Sequence, residues 1–193
     1  HFGSSTLDIH HGLGTASYDS ALYDQGVWLL SRFDAPFVTL MGRNLFGDHT
    51  SFVVLCLVPL YWVAPGAWIL FWSQAAVIAA GAVPVYLYAR RRLRSSGVAV
   101  GFAAVYLAHP AVLGAVYENY HPDSFLGLFV PLALWAALER RWRWYGIAVV
   151  GALLVKEDVA LVIVPLGVWV ALNRRWRIGL VTVVASVGAT VVA

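Results

Sequence analysis

The sequence predicts an all-α fold, namely a polytopic transmembrane helical bundle with a large first external loop that carries membrane-surface helices. Three observations predict it. Hydrophobic residues make up 61% of the 193 residues and charged residues only 12%, about half the charged share of a soluble domain. The apolar residues are gathered into runs of the length that membrane helices need. Ten of the thirteen Lys and Arg residues lie in three short clusters between these runs, which is typical of cytoplasmic loops.

Residues 1–66 are predicted to form the external loop. The stretch ASYDSALYDQGVWLLSRF places Tyr23, Val27 and Leu30 on one stripe, which predicts an amphipathic helix lying on the membrane. The apolar run SFVVLCLVPLYWVAPG follows, and its apolar part would rise only ~17 Å as a helix, less than the ~30 Å of hydrocarbon. We therefore expect an interfacial or re-entrant helix here, with Cys56 as a small core residue.

Residues 67–193 are predicted to form the transmembrane bundle, as a fragment of a larger protein truncated at both ends. Spans are expected over 67–89, with a kink at Pro84, over 97–117 and over 125–138. Two short arms should follow on either side of the charged run Lys156-Glu157-Asp158, and a last span should begin after residue 177.

Sidedness follows from the basic clusters at 90–94, 140–143 and 174–177, which the positive-inside rule assigns to the cytoplasm. Two clusters on one side need an even number of crossings between them, so residues 144–173 are predicted to be a hairpin with Lys156-Glu157-Asp158 at its outer turn. One continuous helix would instead leave three charges near the middle of the bilayer. The same rule places residues 1–66 and 118–124 outside. All Asp and Glu residues except Glu139, and all six His residues, then lie on or near the outer side.

Two stretches of the external loop carry candidate functional residues. Asp19 is expected to be an ordinary first-turn acid, whereas Asp24 fits that role and a functional role equally well. The stretch GRNLFGDHTSF contains Arg43, Asp48 and His49. Its Asp-His pair is either a helix cap with a neighbouring turn or a metal-ligand or acid–base pair.

Two further stretches lie between the predicted spans. In YENYHPDSF a helix start explains Pro122 and Asp123 but not His121, which is therefore a functional candidate. In the charged run, Lys156 and its two acidic neighbours either neutralise one another or form a site. In a site, the lysine would hold a lipid phosphate, while the acids would bind a metal ion or position the lysine.

The segments YDQGVW, GDHT, QAAVIAAGAVPVYLYARR, HPD and LLVKEDVAL occur in this order, and with them nearly the whole chain resembles the DUF2079 family of predicted bacterial membrane proteins. That family resembles the GT-C superfamily of membrane glycosyltransferases, which use polyprenyl-phosphate-linked sugars at the outer face of the membrane. In the GT-C superfamily an acidic residue of the first loop is the catalytic base, and Asp24 occupies that place. Gln25 stands where a second acid is usual, so a second acid would come from elsewhere, such as Asp48. Lys156 matches the lysine of a Leu-Thr-Lys-Gly segment, although Glu157 replaces its glycine.

The resemblance implies an inverting transfer of a sugar from a polyprenyl-phosphate donor to an acceptor, at a site on the outer face of a multi-pass protein of the bacterial plasma membrane. The expected partners are membrane lipid, the lipid-linked sugar and an acceptor. A nucleic acid is not expected, because the basic residues sit in loops between apolar spans. The expected catalytic residues are Asp24, Asp48 and Glu157; the expected substrate-binding residues are Lys156, Arg43, His121, Gln25 and His49. A divalent metal ion, if one is used, would be held by Asp24, Asp48, His49 and Asp158.

Two other functions remain open. A proton-coupled transporter or a lipid flippase would also place ionisable residues in the membrane, but the sequence shows no internal repeat and gathers its polar groups at one face. A non-catalytic membrane scaffold that keeps the fold is the third alternative.

Overall fold

The computed structural model of the chain describes residues 3–4, 8, 17–117 and 119–192, and these are predominantly helical. Between residues 17 and 192 the α-helices are α1 Ser17–Ser31, α2 Val58–Val63, α3 Ala67–Leu93, α4 Ser96–Ala108, α5 Pro110–Tyr117, α6 Leu126–Leu138, α7 Trp142–Leu153, α8 Ala160–Asn173 and α9 Trp176–Val192. Short 3-10 helices cover Leu45–Gly47, Phe52–Leu57, Pro122–Phe125 and Glu157–Val159. The only strands in this part of the chain, β1 Phe37–Val38 and β2 Arg43–Asn44, form a small antiparallel hairpin. The all-α prediction is confirmed.

The helices from α3 onward run back and forth between two ends of the molecule. We call the end formed by residues 90–94, 139–143 and 174–177 the basic end. There Arg91 forms an ion pair with Glu139, and the guanidinium of Arg175 lies 6.0 Å from the ring centroid of Trp142. We call the end formed by residues 43–51, 119–123 and 154–159 the acidic end. The chain therefore separates most of its cations from most of its carboxylates, as the sequence pattern predicts.

Glycines allow the helices to approach closely. The hydroxyl of Tyr106 on α4 donates a hydrogen bond of 2.6 Å to the carbonyl of Gly127 on α6, and a Cβ at Gly81 on α3 would collide with that same carbonyl. A Cβ at Gly179 on α9 would likewise collide with the backbone of Ala171 on α8. Small residues at helix crossings are a feature of membrane bundles, because they allow close van der Waals packing.

The helix predicted over 97–117 is broken. Pro110 disfavours the helical conformation at the preceding residue, and His109 is extended, with φ −63° and ψ 133°. The axes of α4 and α5 consequently meet at 51°. The span predicted for these residues is therefore bent at His109, and α4 and α5 meet the length and hydropathy of a crossing only when taken together.

Among the described residues, α3 alone is long and apolar enough to cross a membrane as a single helix, and α4 with α5 would make a second span if counted together. Helices α6 to α9 have 13, 12, 14 and 17 residues, which rise roughly 18–26 Å. Helix length alone thus does not show the multi-pass arrangement that the sequence pattern predicts.

The segment 144–173 is not one helix, since α7 ends at Leu153 and α8 begins at Ala160. The charged run lies in the turn between them, as predicted. Large apolar side chains cover the outer surfaces of the helices: Leu161, Leu172 and Val191 are about four fifths exposed, which is unusual for a soluble protein when such residues are contiguous. Cys56, expected in the core, is exposed, because the tight 3-10 turn of Phe52–Leu57 directs it outward.

Glu118 and the histidines His1, His10 and His11, all expected on the outer side, lie outside the described residues.

Candidate functional site

The centre of the acidic end is the carboxylate of Glu157. The backbone is extended at Lys156 and then enters the 3-10 helix Glu157–Val159, where an acidic residue in the first turn is favoured by the free N–H groups of a helix start. The Glu157 carboxylate lies 2.8 Å from Nδ1 of His49 and accepts hydrogen bonds of 3.3 Å from the backbone N–H and the hydroxyl of Thr50. The external loop and the turn before α8, more than a hundred residues apart in sequence, therefore meet at one carboxylate.

Hydrogen bonding keeps this carboxylate ionised. Burial raises the pKa of Glu157, but backbone hydrogen bonds at Glu157 and Thr50, the hydrogen bond from His49 and the charge of His49 together lower it to about 2. A carboxylate that accepts several hydrogen bonds is stabilised in its charged form. Glu157 is therefore suited to orient and charge-balance an imidazole rather than to donate a proton at neutral pH.

His49 lies between two carboxylates. Its Nδ1 faces Glu157, and its Nε2 lies 3.9 Å from Asp48, whose other oxygen forms an ion pair with Arg43. The β1–β2 hairpin and the 3-10 helix Leu45–Gly47 hold this segment, because Asn44 caps the helix by accepting a hydrogen bond of 3.0 Å from the N–H of Phe46. The result is an alternating row of basic and acidic side chains on an accessible surface, in which Arg43 and Asp48 are about half exposed.

Asp24 occupies a different environment on α1. Its carboxylate accepts a hydrogen bond of 2.7 Å from the hydroxyl of Tyr61, a residue of α2 that is only 2% exposed. The pKa of the Tyr61 hydroxyl is raised well above its usual value, mainly by burial and secondly by the adjacent Asp24 carboxylate. The hydroxyl therefore remains a donor and fixes the Oδ1 side of the carboxylate. The next residue, Gln25, holds the hairpin by accepting hydrogen bonds of 3.1 Å from the backbone and hydroxyl of Thr39.

Tyr23 of α1 lies close to the acidic end, next to Ser51. Burial above all, and then the negative charges of Asp123, Asp19 and Asp48, raise the pKa of its hydroxyl to about 12, against the effect of a hydrogen bond with Ser51. The Tyr23 ring packs edge to face on that of Tyr120, with centroids 5.4 Å apart. The neutral hydroxyl thus lies near carboxylates of both the loop and the segment 119–123.

Gln74 of α3 links this helix to α5 and to the acidic end through hydrogen bonds. Its fully buried amide donates a hydrogen bond of 2.8 Å to the carbonyl of Ala115 and accepts one of 3.1 Å from the N–H of His121. The His121 side chain, which makes no cap for the helix after it, lies 3.6 Å from Asp19. His121 is thereby placed at the same end as His49, with its own carboxylate partner.

Lys156 lies 3.7 Å from Asp158 and is 23% exposed, so the charged run is partly self-neutralised, as one of the two interpretations of the sequence proposed. Asp158 is 56% exposed. Within the described residues no three His, Cys, Asp or Glu side chains are grouped as metal ligands. Of the four residues expected to hold a metal ion, the structure brings together only Asp48 and His49.

The structure thus unites Arg43, Asp48, His49 and Glu157 and leaves Asp24 with Tyr61. Sequence reasoning did not identify three residues that organise the site: Thr50, Tyr61 and Gln74. A glutamine inside the apolar run FWSQAAVI was a usable signal, because a buried amide must find hydrogen-bond partners. No sequence signal separates Tyr61 from the other aromatic residues of the external loop.

Comparison with known proteins gives one match. The model of a family described as "Predicted membrane protein (DUF2079)" matches residues 9–193. No curated protein matches the chain, and no solved structure does.

Proposed function

The chain belongs to the DUF2079 family of predicted membrane proteins, and from this premise we propose that it is a GT-C-like glycosyltransferase that uses a polyprenyl-phosphate-linked sugar. One observation carries the proposal. The segment around His49, which lies in the same loop as Asp24, meets in space the segment that resembles the lysine segment of such enzymes, through the contacts of Glu157 with His49 and Thr50. Nothing in their sequence separation requires this meeting.

We place the protein in the membrane as a multi-pass bundle with the basic end in the cytoplasm and the acidic end outside. The distribution of Arg and Lys supports this orientation by the positive-inside rule, and the exposed apolar side chains on the outer helix surfaces support lipid contact. The external loop then lies at the outer membrane surface, where α1 and α2 are near both the lipid and the acidic end.

In the proposed reaction an acceptor hydroxyl attacks the anomeric carbon of the sugar with inversion. The bond from that carbon to the phosphate oxygen breaks, a new glycosidic bond forms, and the lipid phosphate leaves with the electron pair. Asp24 takes the hydroxyl proton, because its carboxylate is oriented by Tyr61 and half-buried yet retains accepting capacity. Lys156, the least exposed cation of the acidic end, stabilises the departing phosphate.

The remaining residues position these groups. The array of Arg43, Asp48, His49 and Glu157 binds the sugar and phosphate oxygens, and it holds the external loop against the turn before α8. His121 contacts the acceptor from the side of Asp19. Should a divalent ion take part, Asp48 and His49 are the pair that would hold it.

Asp24→Asn tests the proposal. Membranes that contain the protein are incubated with a panel of radiolabelled undecaprenyl-phosphate hexoses and pentoses, and label transferred to cell-envelope material is counted. We expect the Asn variant to lose about 10²–10⁴-fold in rate, the usual contribution of a general base, with an unchanged elution profile in detergent. Asp34→Asn is the matched control, because Asp34 is an exposed acid of the same loop. Equal transfer by wild type and Asp24→Asn would remove Asp24 as the base, and no protein-dependent transfer from any donor would remove the glycosyltransferase.

A further inference from the structure

A groove lies between helices α3, α4 and α6, near the basic end. It encloses a cavity of about 430 Å³, within the range of small-molecule pockets. Its walls are almost entirely apolar, and both Pro84 of α3 and Pro131 of α6 line it. Phe102 of α4 and Trp135 of α6 complete the wall. The groove is chemically suited to a hydrocarbon chain and to little else.

A second cavity of about 320 Å³ adjoins the groove on the side of the basic end, and we call it the mouth. It is lined by Arg91, Arg92, Leu138, Glu139 and Arg140. Arg92 and Leu138 also line the groove, so the apolar and the cationic cavities are neighbours that share part of their wall. The guanidinium of Arg92 is held at their junction, 5.3 Å from the ring centroid of Tyr88, which is itself a groove residue.

The mouth has an excess of positive charge. Glu139, whose side chain is only 5% exposed, is neutralised by Arg91. Among the described residues, Arg92 and Arg140 have no carboxylate within 4.0 Å; the six ion pairs of this part of the chain involve other cations. Two guanidinium groups without a carboxylate partner therefore line a cavity that adjoins an apolar groove.

We propose that the groove and mouth bind an anionic glycerophospholipid of the leaflet at the basic end. One acyl chain occupies the groove, and the phosphate is held by Arg92 and Arg140. Guanidinium groups bind phosphate through paired N–H donors, and basic pockets between membrane helices recognise anionic head groups. The inference rests on the membrane placement but not on glycosyl transfer, since the acidic end with its proposed reaction lies at the other end of the helices.

Native mass spectrometry of the intact chain in detergent tests the proposal, with phosphatidylglycerol and phosphatidylcholine of identical acyl chains as the two probes. We expect one phosphatidylglycerol to be retained in preference to phosphatidylcholine. The double variant Arg92→Gln/Arg140→Gln should bind phosphatidylglycerol about thirtyfold more weakly. This is the fold-change expected when each of the two arginines loses one contact with an anionic head group.

The matched control is Arg143→Gln/Arg177→Gln, which removes the same charge from the basic end without touching the mouth. It should retain most of the affinity, because neither residue lines the groove or the mouth. Leu134→Trp, at an exposed groove residue, should reduce binding of both lipids by filling the groove while leaving the guanidinium groups in place. Equal losses in the two double variants would show diffuse charge attraction and overturn the site. Equal retention of the two lipids by the wild type would overturn it as well.

Discussion

Replacing Glu157 by Gln should destabilise the protein by roughly 2 kcal/mol at pH 7, because it removes the charge that His49 and Thr50 stabilise. A pKa lowered from 4.5 to about 2 corresponds to about 3.4 kcal/mol at 1.36 kcal/mol per pH unit. Solvent screening of a side chain that is 30% exposed reduces this to the lower figure. The free energy of unfolding is measured for both proteins by titrating SDS into mixed micelles and following the loss of helical circular dichroism.

The pH dependence of this difference follows from the sign of the shift. The folded-state pKa of Glu157 lies below the unfolded value, so the stabilisation is complete above pH 4.5 and is lost as the pH falls towards 2. We expect about 40% of the difference between wild type and Glu157→Gln to have disappeared by pH 3.5.

Asp158→Asn is the control, because Asp158 is 56% exposed and its only ion-pair partner in the described chain is 3.7 Å away. It should change the free energy of unfolding by less than about 0.5 kcal/mol. If Glu157→Gln is as stable as Asp158→Asn at pH 7, or if its effect does not decline in acid, the carboxylate is not held by His49 and Thr50. The segment around His49 and the turn before α8 would then not form one site.

Two further variants test the packing that supports the site, with the same SDS titration. Gly81→Ala should cost about 3 kcal/mol or more, because its Cβ meets the carbonyl of Gly127 on a neighbouring helix; Gly114→Ala, whose Cβ meets nothing within 4 Å, should be neutral or stabilising by up to about 1 kcal/mol. A tolerated Gly81→Ala would show that α3 and α6 are further apart. Gln74→Leu should cost about 2–4 kcal/mol, since two partly buried backbone groups lose their hydrogen-bond partner, and an unaffected free energy would show that the amide is not shared between them.

The sequence was sufficient to predict the elements whose signals are local. Apolar runs and their bounding clusters located α3, α6 and α9, and Pro122 with Asp123 marked the helix start after residue 121. The break at His109 was also encoded, by Pro110, but the run 97–117 is so uniformly apolar that hydropathy concealed it. The position of the charged run in a turn followed from the cost of burying three charges and from the even number of crossings that two basic clusters on one side require. Both are properties of the whole chain rather than of one segment.

The site could be predicted only in part, because it depends on contacts between distant segments. The number of crossings between the basic clusters places Glu157 and His49 at the same end. It does not say which of the acids of that end pairs with which imidazole. The partner of Asp24 was inaccessible for the same reason. Tyr61 reaches it only because the 3-10 turn of Phe52–Leu57 directs α2 back against α1.

The contact between His49 and Glu157 closes a loop of 108 residues, and this has a consequence for biosynthesis. At ribosomal speeds of about 5–20 residues per second, Glu157 is synthesised about 5–20 s after His49. The two can then meet only if the intervening helices have traversed the bundle the correct number of times, because a single inverted helix would leave the pair at opposite ends. The pairing therefore forms late in synthesis, and the segment around His49 stays without Glu157 in any chain whose helices have folded in the wrong direction.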